Sequence, residues 1–216
     1  MRTTVEYAPD RFIDVYGEPA DLTLLLWHGR GPDERDVLAT LAAQVAGQGI
    51  KVLVPDWDSC APDGGRADLL RSVRFARVGE PQLLVAGWAL GGTAAASLAL
   101  NARRLGLGSV PAFCLAGDFQ AIDPLSGSPF PTLTVPVRHQ GSIQLLHGVD
   151  DDVIDIAGSR DFAKVLGSAG WEAELTELAT DHTGIVGDME AGRAAAVVIV
   201  ETALRRPWAD PRPPDR

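Results

Sequence analysis

Five short apolar runs along the chain, each flanked by loop residues, predict buried β-strands. The runs are residues 22–27, 51–55, 82–86, 110–115 and 142–147. Because polar residues do not alternate within them, we expect both faces of each strand to be covered, as in a parallel sheet. Between the runs, apolar residues recur at helical spacing, as at Val37, Leu38, Leu41 and Val45. Strands that alternate with helices predict a three-layer α/β sandwich with a mostly parallel sheet.

Weaker patterns complete this outline. Residues 3–7 and 12–15 predict two antiparallel edge strands, and residues 172–177 predict a last parallel strand. Residues 1–206 are interpreted as a single domain, and residues 207–216 as a Pro-rich C-terminal tail that cannot continue a helix. The longest irregular segment, residues 117–141, has room for a small flap but is too short for a helical cap domain.

Composition narrows the classes of function. The 216 residues are 46% hydrophobic and 22% charged, as expected of one globular domain. A net charge of -10 disfavours binding to nucleic acid or to anionic membranes. The N-terminal residues lack the apolar stretch of a secretory signal, so we expect a cytoplasmic location.

Neither a metal nor a cofactor is expected. The four histidines are scattered, and Cys60 and Cys114 are predicted to be free thiols. The Gly-Gly pair at 91 and 92 lacks the lysine of a phosphate-binding loop. We therefore expect a small-molecule substrate as the partner; the oligomeric state, including a homo-oligomer, stays open.

Residues with chemical potential follow the carboxyl ends of four predicted strands. They are WHGRG at 27–31, GWALGG at 87–92, HGVDDDV at 147–153 and DHTG at 181–184. Ligands of parallel α/β sheets bind at this edge, so the four segments are expected to meet around one site.

In this order the segments resemble the α/β-hydrolase superfamily, specifically its small lidless members of the esterase and dienelactone-hydrolase type. The similarity covers about residues 20–205. Gly87, Gly91 and Gly92 match the glycines of the G-x-S-x-G nucleophile elbow, a tight turn between a strand and a helix. The resemblance implies a three-layer α/β-hydrolase sandwich without a cap domain. It also implies hydrolysis of a small ester, thioester or amide through an acyl-enzyme.

The nucleophile position, however, holds Ala89. A methyl group cannot attack a carbonyl carbon, so the chain as written is expected to be inactive as an acyl-transfer hydrolase. Either serine is the parent residue and Ala89 is an inactivating substitution, or the protein has lost its nucleophile in nature. We favour the first explanation, because the predicted acid and base are both still present.

The resemblance implies roles for the rest of the site. Asp151 would be the acid that orients the base His182, although Asp150 and Asp152 are neighbouring alternatives. His182 could instead be a surface histidine capped by Asp181.

Two backbone N–H groups, those of Arg30 and Leu90, would form the oxyanion hole. His28 is interpreted as a structural residue of its loop, and His147 is expected to form a hydrogen bond with its own turn. His139 has no assigned role.

Three tryptophans are candidates for substrate binding. Trp27, Trp57 and Trp88 lie at or just after strand ends, which predicts an aromatic-lined pocket. In the alternative interpretation, Trp27 and Trp88 pack beneath the site and only Trp57 is exposed. Arg30, Asp56, Asp58 and Asp118 are candidate polar contacts on the same rim, and the alternative for each is a solvated loop residue.

Other classes of function stay open. Ser59, Cys60 and Thr93 are less favoured substitute nucleophiles. The chain could be a pseudoenzyme that binds a ligand without catalysis. Alternatively, Asp151 and His182 could act as a general base in an elimination, cyclisation or decarboxylation without any nucleophile.

Overall fold

A single eight-stranded sheet organises the protein. The structure, a computed structural model, describes residues 1–79, 82–130 and 141–205. The strands are β1 (Arg2–Ala8), β2 (Arg11–Tyr16), β3 (Leu22–Trp27), β4 (Lys51–Pro55), β5 (Gln82–Trp88), β6 (Ala112–Leu115), β7 (Ser142–Gly148) and β8 (Glu172–Leu178). Their order across the sheet is β1-β2-β4-β3-β5-β6-β7-β8.

Strands β3 to β8 are parallel, and β1 and β2 form an antiparallel hairpin at one edge. The predicted parallel core and the predicted antiparallel edge pair are therefore confirmed. The run predicted at 110–115 is shorter in the structure, because Pro111 has no N–H to donate and β6 begins after it.

Helices cover both faces of the sheet. They are α1 (Ala39–Ala46), preceded by a 3-10 turn at Arg35–Leu38, α2 (Arg66–Ala76), α3 (Leu90–Asn101), α4 (Ile156–Ser168), the short α5 (Gly184–Gly187) and α6 (Met189–Leu204). One apolar core joins α2, α3 and α4 to the sheet, and a second core joins α1, α5 and α6 to the opposite face. This is the predicted three-layer sandwich, and no cap domain is evident among the described residues.

Some expectations fall beyond the described part of the chain. The Pro-rich tail at 207–216, residue His139 and positions 131–140 of the predicted flap lie outside it. Within the described ranges, no helix is both long enough and apolar enough to cross a membrane.

Candidate active site

The join between β5 and α3 is a one-residue turn at Ala89. This residue has φ 53° and ψ -119°, and its N–H donates to the Leu115 carbonyl at 2.9 Å. A side chain at Gly87 would overlap the Gly91 carbonyl, and one at Gly91 would overlap the His28 carbonyl. The two glycines thus allow the strand, the helix and the neighbouring loop to approach closely. A positive φ is costly for a residue with a Cβ, and such conformations concentrate at functional sites.

The loop after β3 passes directly beside residue 89. A Cβ built on Gly29 would lie 3.3 Å from the Ala89 Cβ. Arg30, the next residue, lines the same cleft as Leu90. Leu90 is the first residue of α3, and N–H groups in the first turn of a helix have no partner within that helix. Both residues expected to form the oxyanion hole therefore border the cleft beside residue 89.

Across the cleft, His182 and Asp151 form a hydrogen-bonded pair. His182 Nδ1 lies 2.8 Å from Asp151 Oδ2, and these side chains are 8% and 0% exposed. Asp150 and Asp152 are exposed and make no such contact. Of the three adjacent aspartates, Asp151 is the one brought to the histidine.

Backbone donors hold the other oxygen of Asp151. Its Oδ1 accepts hydrogen bonds from the N–H groups of Val153, at 2.9 Å, and Ile154, at 2.8 Å. Burial alone would raise the pKa of the Asp151 carboxyl, but the hydrogen bonds from Ile154, His182 and Val153 outweigh it and hold that pKa below its ordinary value. The carboxylate is therefore ionised at neutral pH and can stabilise a protonated His182.

A second histidine contacts the same carboxylate. His147 Nε2 lies 2.9 Å from the Ile154 carbonyl and 3.1 Å from Asp151 Oδ2. Two acceptors face this nitrogen, so it carries the proton, and Nδ1 then accepts a hydrogen bond from the Ser159 hydroxyl at 2.7 Å. Sequence reasoning expected His147 to bond to its turn, which it does. Its contact with the acid was missed, because β7 and the following turn bring residues 147 and 151 together only in three dimensions.

The loop that carries His182 is fixed from both sides. Trp88 Nε1 donates to the His182 carbonyl at 2.9 Å, and the two rings lie 4.9 Å apart between centroids. Asp181 Oδ1 accepts hydrogen bonds from the N–H groups of Gly184 and Thr183. Asp181 therefore orders its own turn, and the alternative in which it caps a surface His182 is wrong.

Residue 89 and His182 face one open cleft with a volume of about 450 Å³. Its walls include Arg30, Glu34, Trp88, Asp118, Val153 and Ile154. Sequence reasoning did not identify Glu34, since its only signal was a position a few residues past the end of the first parallel strand.

The expectation of three tryptophans on the rim is wrong for Trp27 and Trp57. Both side chains are fully buried. Trp27 Nε1 donates to the Ser72 hydroxyl at 3.0 Å beneath α2, so its ring fills the core. Trp57 stacks on His28 with 5.4 Å between ring centroids, and its Nε1 donates to the His28 carbonyl. Trp88 is the one of the three that lines the cleft, so the alternative with an exposed Trp57 is wrong as well.

His28 ties two loops together below the site. Its Nε2 accepts a hydrogen bond from the Trp57 N–H at 3.3 Å, and its Nδ1 lies 2.9 Å from the Gly29 carbonyl. Burial lowers the pKa of His28 to about 4, so the ring is neutral at physiological pH. These contacts agree with a structural role for His28.

The substitute nucleophiles considered from the sequence are not paired with the base. Thr93 is buried and donates to the Asp118 carbonyl at 2.6 Å. The Ser59 hydroxyl is engaged with the N–H and C=O of Gly31, and Cys60 is exposed. Among the described residues, no group of three or more potential ligands is placed to hold a metal ion.

Taken with the sheet order, this arrangement has the α/β-hydrolase fold: a mostly parallel eight-stranded sheet, a strand–turn–helix elbow and an acid–histidine pair on the following loops. No protein-family model and no curated protein sequence matches the chain.

Solved structures do match. Native esterase 2 of the planctomycete Thermogutta terrifontis superposes with a TM-score of 0.75 at 16% identity, covering 98% of this chain and 94% of the esterase. The propionate-bound form of that esterase gives a TM-score of 0.76 at 16% identity, with 98% and 97% covered. Its form phosphoramylated by tabun gives a TM-score of 0.75 at 17% identity, with the same coverage. At this level of identity the likeness establishes the fold.

Proposed function

We propose that this chain is built on the site of a small-ester hydrolase and that Ala89 blocks its acyl-transfer step. The observation that carries the proposal is the Asp151–His182 pair, which shares one cleft with a positive-φ residue on a strand–helix turn. The structural likeness to an esterase that binds propionate supports the same class of chemistry.

With serine at position 89, each group would have a defined task. His182 Nε2 would take the hydroxyl proton as the serine oxygen attacks the carbonyl carbon, and would then return that proton to the leaving group. The N–H groups of Leu90 and Arg30 would stabilise the oxyanion. Asp151 would keep the Nδ1 proton on His182 and stabilise the imidazolium.

With alanine at position 89, binding is retained and acylation is not. The change from the hydroxymethyl side chain of serine to the methyl group of alanine removes no charge and leaves the oxyanion donors in place. We therefore expect the unmodified chain to hold an ester, thioester or amide substrate unchanged.

Restoring the nucleophile tests this proposal. Ala89→Ser should raise hydrolysis of p-nitrophenyl acetate by about 10³-fold or more over the unmodified chain, because a triad without its nucleophile retains little catalysis. The variant should also be labelled by a fluorophosphonate probe, which reacts with an activated serine. The matched control is the same variant with His182→Ala, which should not be labelled. A folded Ala89→Ser chain that neither turns over the ester nor takes the label contradicts the proposal.

A second candidate is base catalysis that needs no nucleophile. It is favoured by one observation, namely that the Asp151–His182 pair is complete in a chain with Ala89. In that case the unmodified chain would catalyse an elimination, cyclisation or decarboxylation, and His182→Ala would abolish it. Substrate turnover by the unmodified chain is the result that separates the two candidates.

A further inference from the structure

A second, larger cavity adjoins the cleft that holds Ala89 and His182. Its volume is about 660 Å³, and Arg30, Leu90 and Asp118 line both spaces. Arg30 and Leu90 are the residues placed to stabilise the oxyanion, so the scissile carbonyl would lie at the junction. A substrate bound there would extend into both spaces.

The larger cavity differs in chemistry from the cleft. Its walls include the polar residues Ser59, Asp63, Gln120 and Asp123, together with apolar residues such as Ile122, and no described aromatic side chain lines it. The cleft on the His182 side is bounded instead by Trp88, Val153 and Ile154. We refer to the larger space as the polar cavity.

Most polar groups of the polar cavity are already engaged. The Asp63 oxygens accept from the N–H groups of Gly65 and Ala67. The fully buried Asp123 accepts from the Ser97 hydroxyl and from the Leu125 N–H.

Two side chains that line the polar cavity have no partner among the described residues. The Arg30 guanidinium and the Gln120 amide make no hydrogen bond or ion pair with any residue that the structure describes, and both line the cavity. Each supplies N–H donors, so the complementary ligand group is a hydrogen-bond acceptor.

The charges around the polar cavity favour an acceptor without net charge. Among the described lining residues, Asp63, Asp118 and Asp123 outnumber the one cation, Arg30, so an anionic group would be repelled. A cationic group such as an ammonium has no acceptor to offer to the N–H donors of Arg30 and Gln120. An amide carbonyl or a hydroxyl oxygen meets both conditions.

The orientation of the bound substrate follows from the position of the group that protonates its leaving group. The leaving-group atom must receive a proton from His182, so the leaving group lies on the His182 side of the junction. The acyl part then points through the junction into the polar cavity. Building on the proposed function, we infer that the natural substrates are esters, thioesters or amides with a polar acyl part. This acyl part carries an amide or hydroxyl group beyond the reacting carbonyl, and Arg30 and Gln120 recognise that group.

Two p-nitrophenyl esters with acyl chains of equal length test this inference in the Ala89→Ser variant. One carries an N-acetyl-β-alanyl group and the other a hexanoyl group. Only the N-acetyl-β-alanyl ester offers an amide oxygen to the charged Arg30 donor, so kcat/KM should favour this ester by about tenfold or more. An equal or higher value for the hexanoyl ester overturns the inference.

Variants of Gln120 and Arg30 test whether these side chains cause the preference. Adding Gln120→Ala should reduce the preference for the N-acetyl-β-alanyl ester, and adding Arg30→Gln should reduce it further. Gln48→Ala is the control, because Gln48 is also exposed but lies in a groove between α1 and α6 on the other side of the sheet. A preference that survives Gln120→Ala and Arg30→Gln overturns the assignment of these two residues.

A binding measurement on the unmodified chain separates this inference from the proposed function, since it needs no nucleophile. N-acetyl-β-alaninamide should perturb the Gln120 side-chain amide signals in NMR spectra and should bind more tightly than hexanamide. If this result is obtained and the Ala89→Ser variant is inactive, the inferred ligand class is supported and the proposed hydrolase function is rejected. Tighter binding of hexanamide, or binding of neither, would reject the ligand class itself.

Discussion

The Asp151 carboxylate is saturated with hydrogen-bond donors. Two backbone N–H groups hold Oδ1, and the imidazoles of His182 and His147 share Oδ2. An ionised carboxylate offers about four acceptor positions, so all of them are used. The group cannot rotate without breaking several of these bonds, and it therefore serves as a fixed negative charge behind His182.

The two histidines on Asp151 should differ in the effect of their loss. In the Ala89→Ser background, His182→Ala removes the proton acceptor and should lower kcat by about 10³-fold or more. His147→Ala removes one hydrogen bond to a charged group and should cost about tenfold.

His147→Gln is the control for this pair, since its amide can still donate toward Asp151. It should recover most of the activity that His147→Ala loses. Equal losses for His182→Ala and His147→Ala in folded chains would show that the base has been assigned to the wrong histidine.

At the level of single residues, the sequence predicted some contacts and not others. The HGVDDDV segment limited the acid to three neighbours, but the turn after β7 decides that Asp151 faces His182. The tryptophans were misjudged because a position at a strand end does not reveal which face the side chain occupies. Trp27 and Trp57 lie on the face covered by α2 and α3, where both side chains are buried in the apolar core.

At the level of elements, the elbow depends on the absence of side chains where β5, α3 and the loop after β3 converge. At Gly91 an added methyl group would meet main-chain atoms of Trp27 and His28. Unlike the end of a flexible side chain, these atoms cannot rotate away. The backbone of this region would have to move to accommodate it.

Gly91→Ala is therefore expected to destabilise the protein by at least about 2 kcal/mol. Gly167→Ala is the matched control within a helix, because Gly167 is exposed in α4 and an added Cβ there meets nothing within 4 Å. That change should stabilise by about 0.5–1 kcal/mol, since alanine is the better helix former. Urea denaturation of both variants measures the difference, and similar midpoints would contradict this account of the elbow.

The strands were the best predicted elements. Apolar runs bounded by loops gave the bounds of β3 and β4, and the other parallel strands differ by one or two residues at an end. Their order across the sheet could not be deduced in the same way, since pairing between distant strands leaves no local pattern. The cleft could not be predicted from the sequence either, because its walls come from distant segments that include Glu34, Asp118 and Val153.

At the level of the whole molecule, buried His28 links folding to pH. Its unperturbed pKa is 6.5, and burial lowers the pKa in the folded state to about 4. A lowered pKa means that the unfolded chain binds the proton more readily. The stability contributed by neutral His28 is thus complete above pH 6.5 and is lost as the pH falls toward 4.

This loss should amount to about 3 kcal/mol between pH 7 and pH 4. Comparison with His28→Gln isolates this loss: the stability advantage of the parent over that variant should narrow by about this amount over the same range.

The stability difference between the parent and Asp56→Asn should change in the opposite direction. Burial raises the pKa of Asp56 to about 6, so the parent gains stability relative to this variant as the pH falls. Urea titrations at several pH values provide the measurement, and parallel curves for the parent and His28→Gln would contradict the prediction.

The positive φ of Ala89 has a consequence for the history of the site. The strained turn is maintained by Gly87, Gly91 and the Leu115 carbonyl, none of which depends on the side chain at position 89. Any alanine codon becomes a serine codon by one base change in its first position. A reactive hydroxyl can therefore be gained or lost in a single mutational step while the surrounding scaffold stays the same, and chains with and without the nucleophile are immediate neighbours in sequence space.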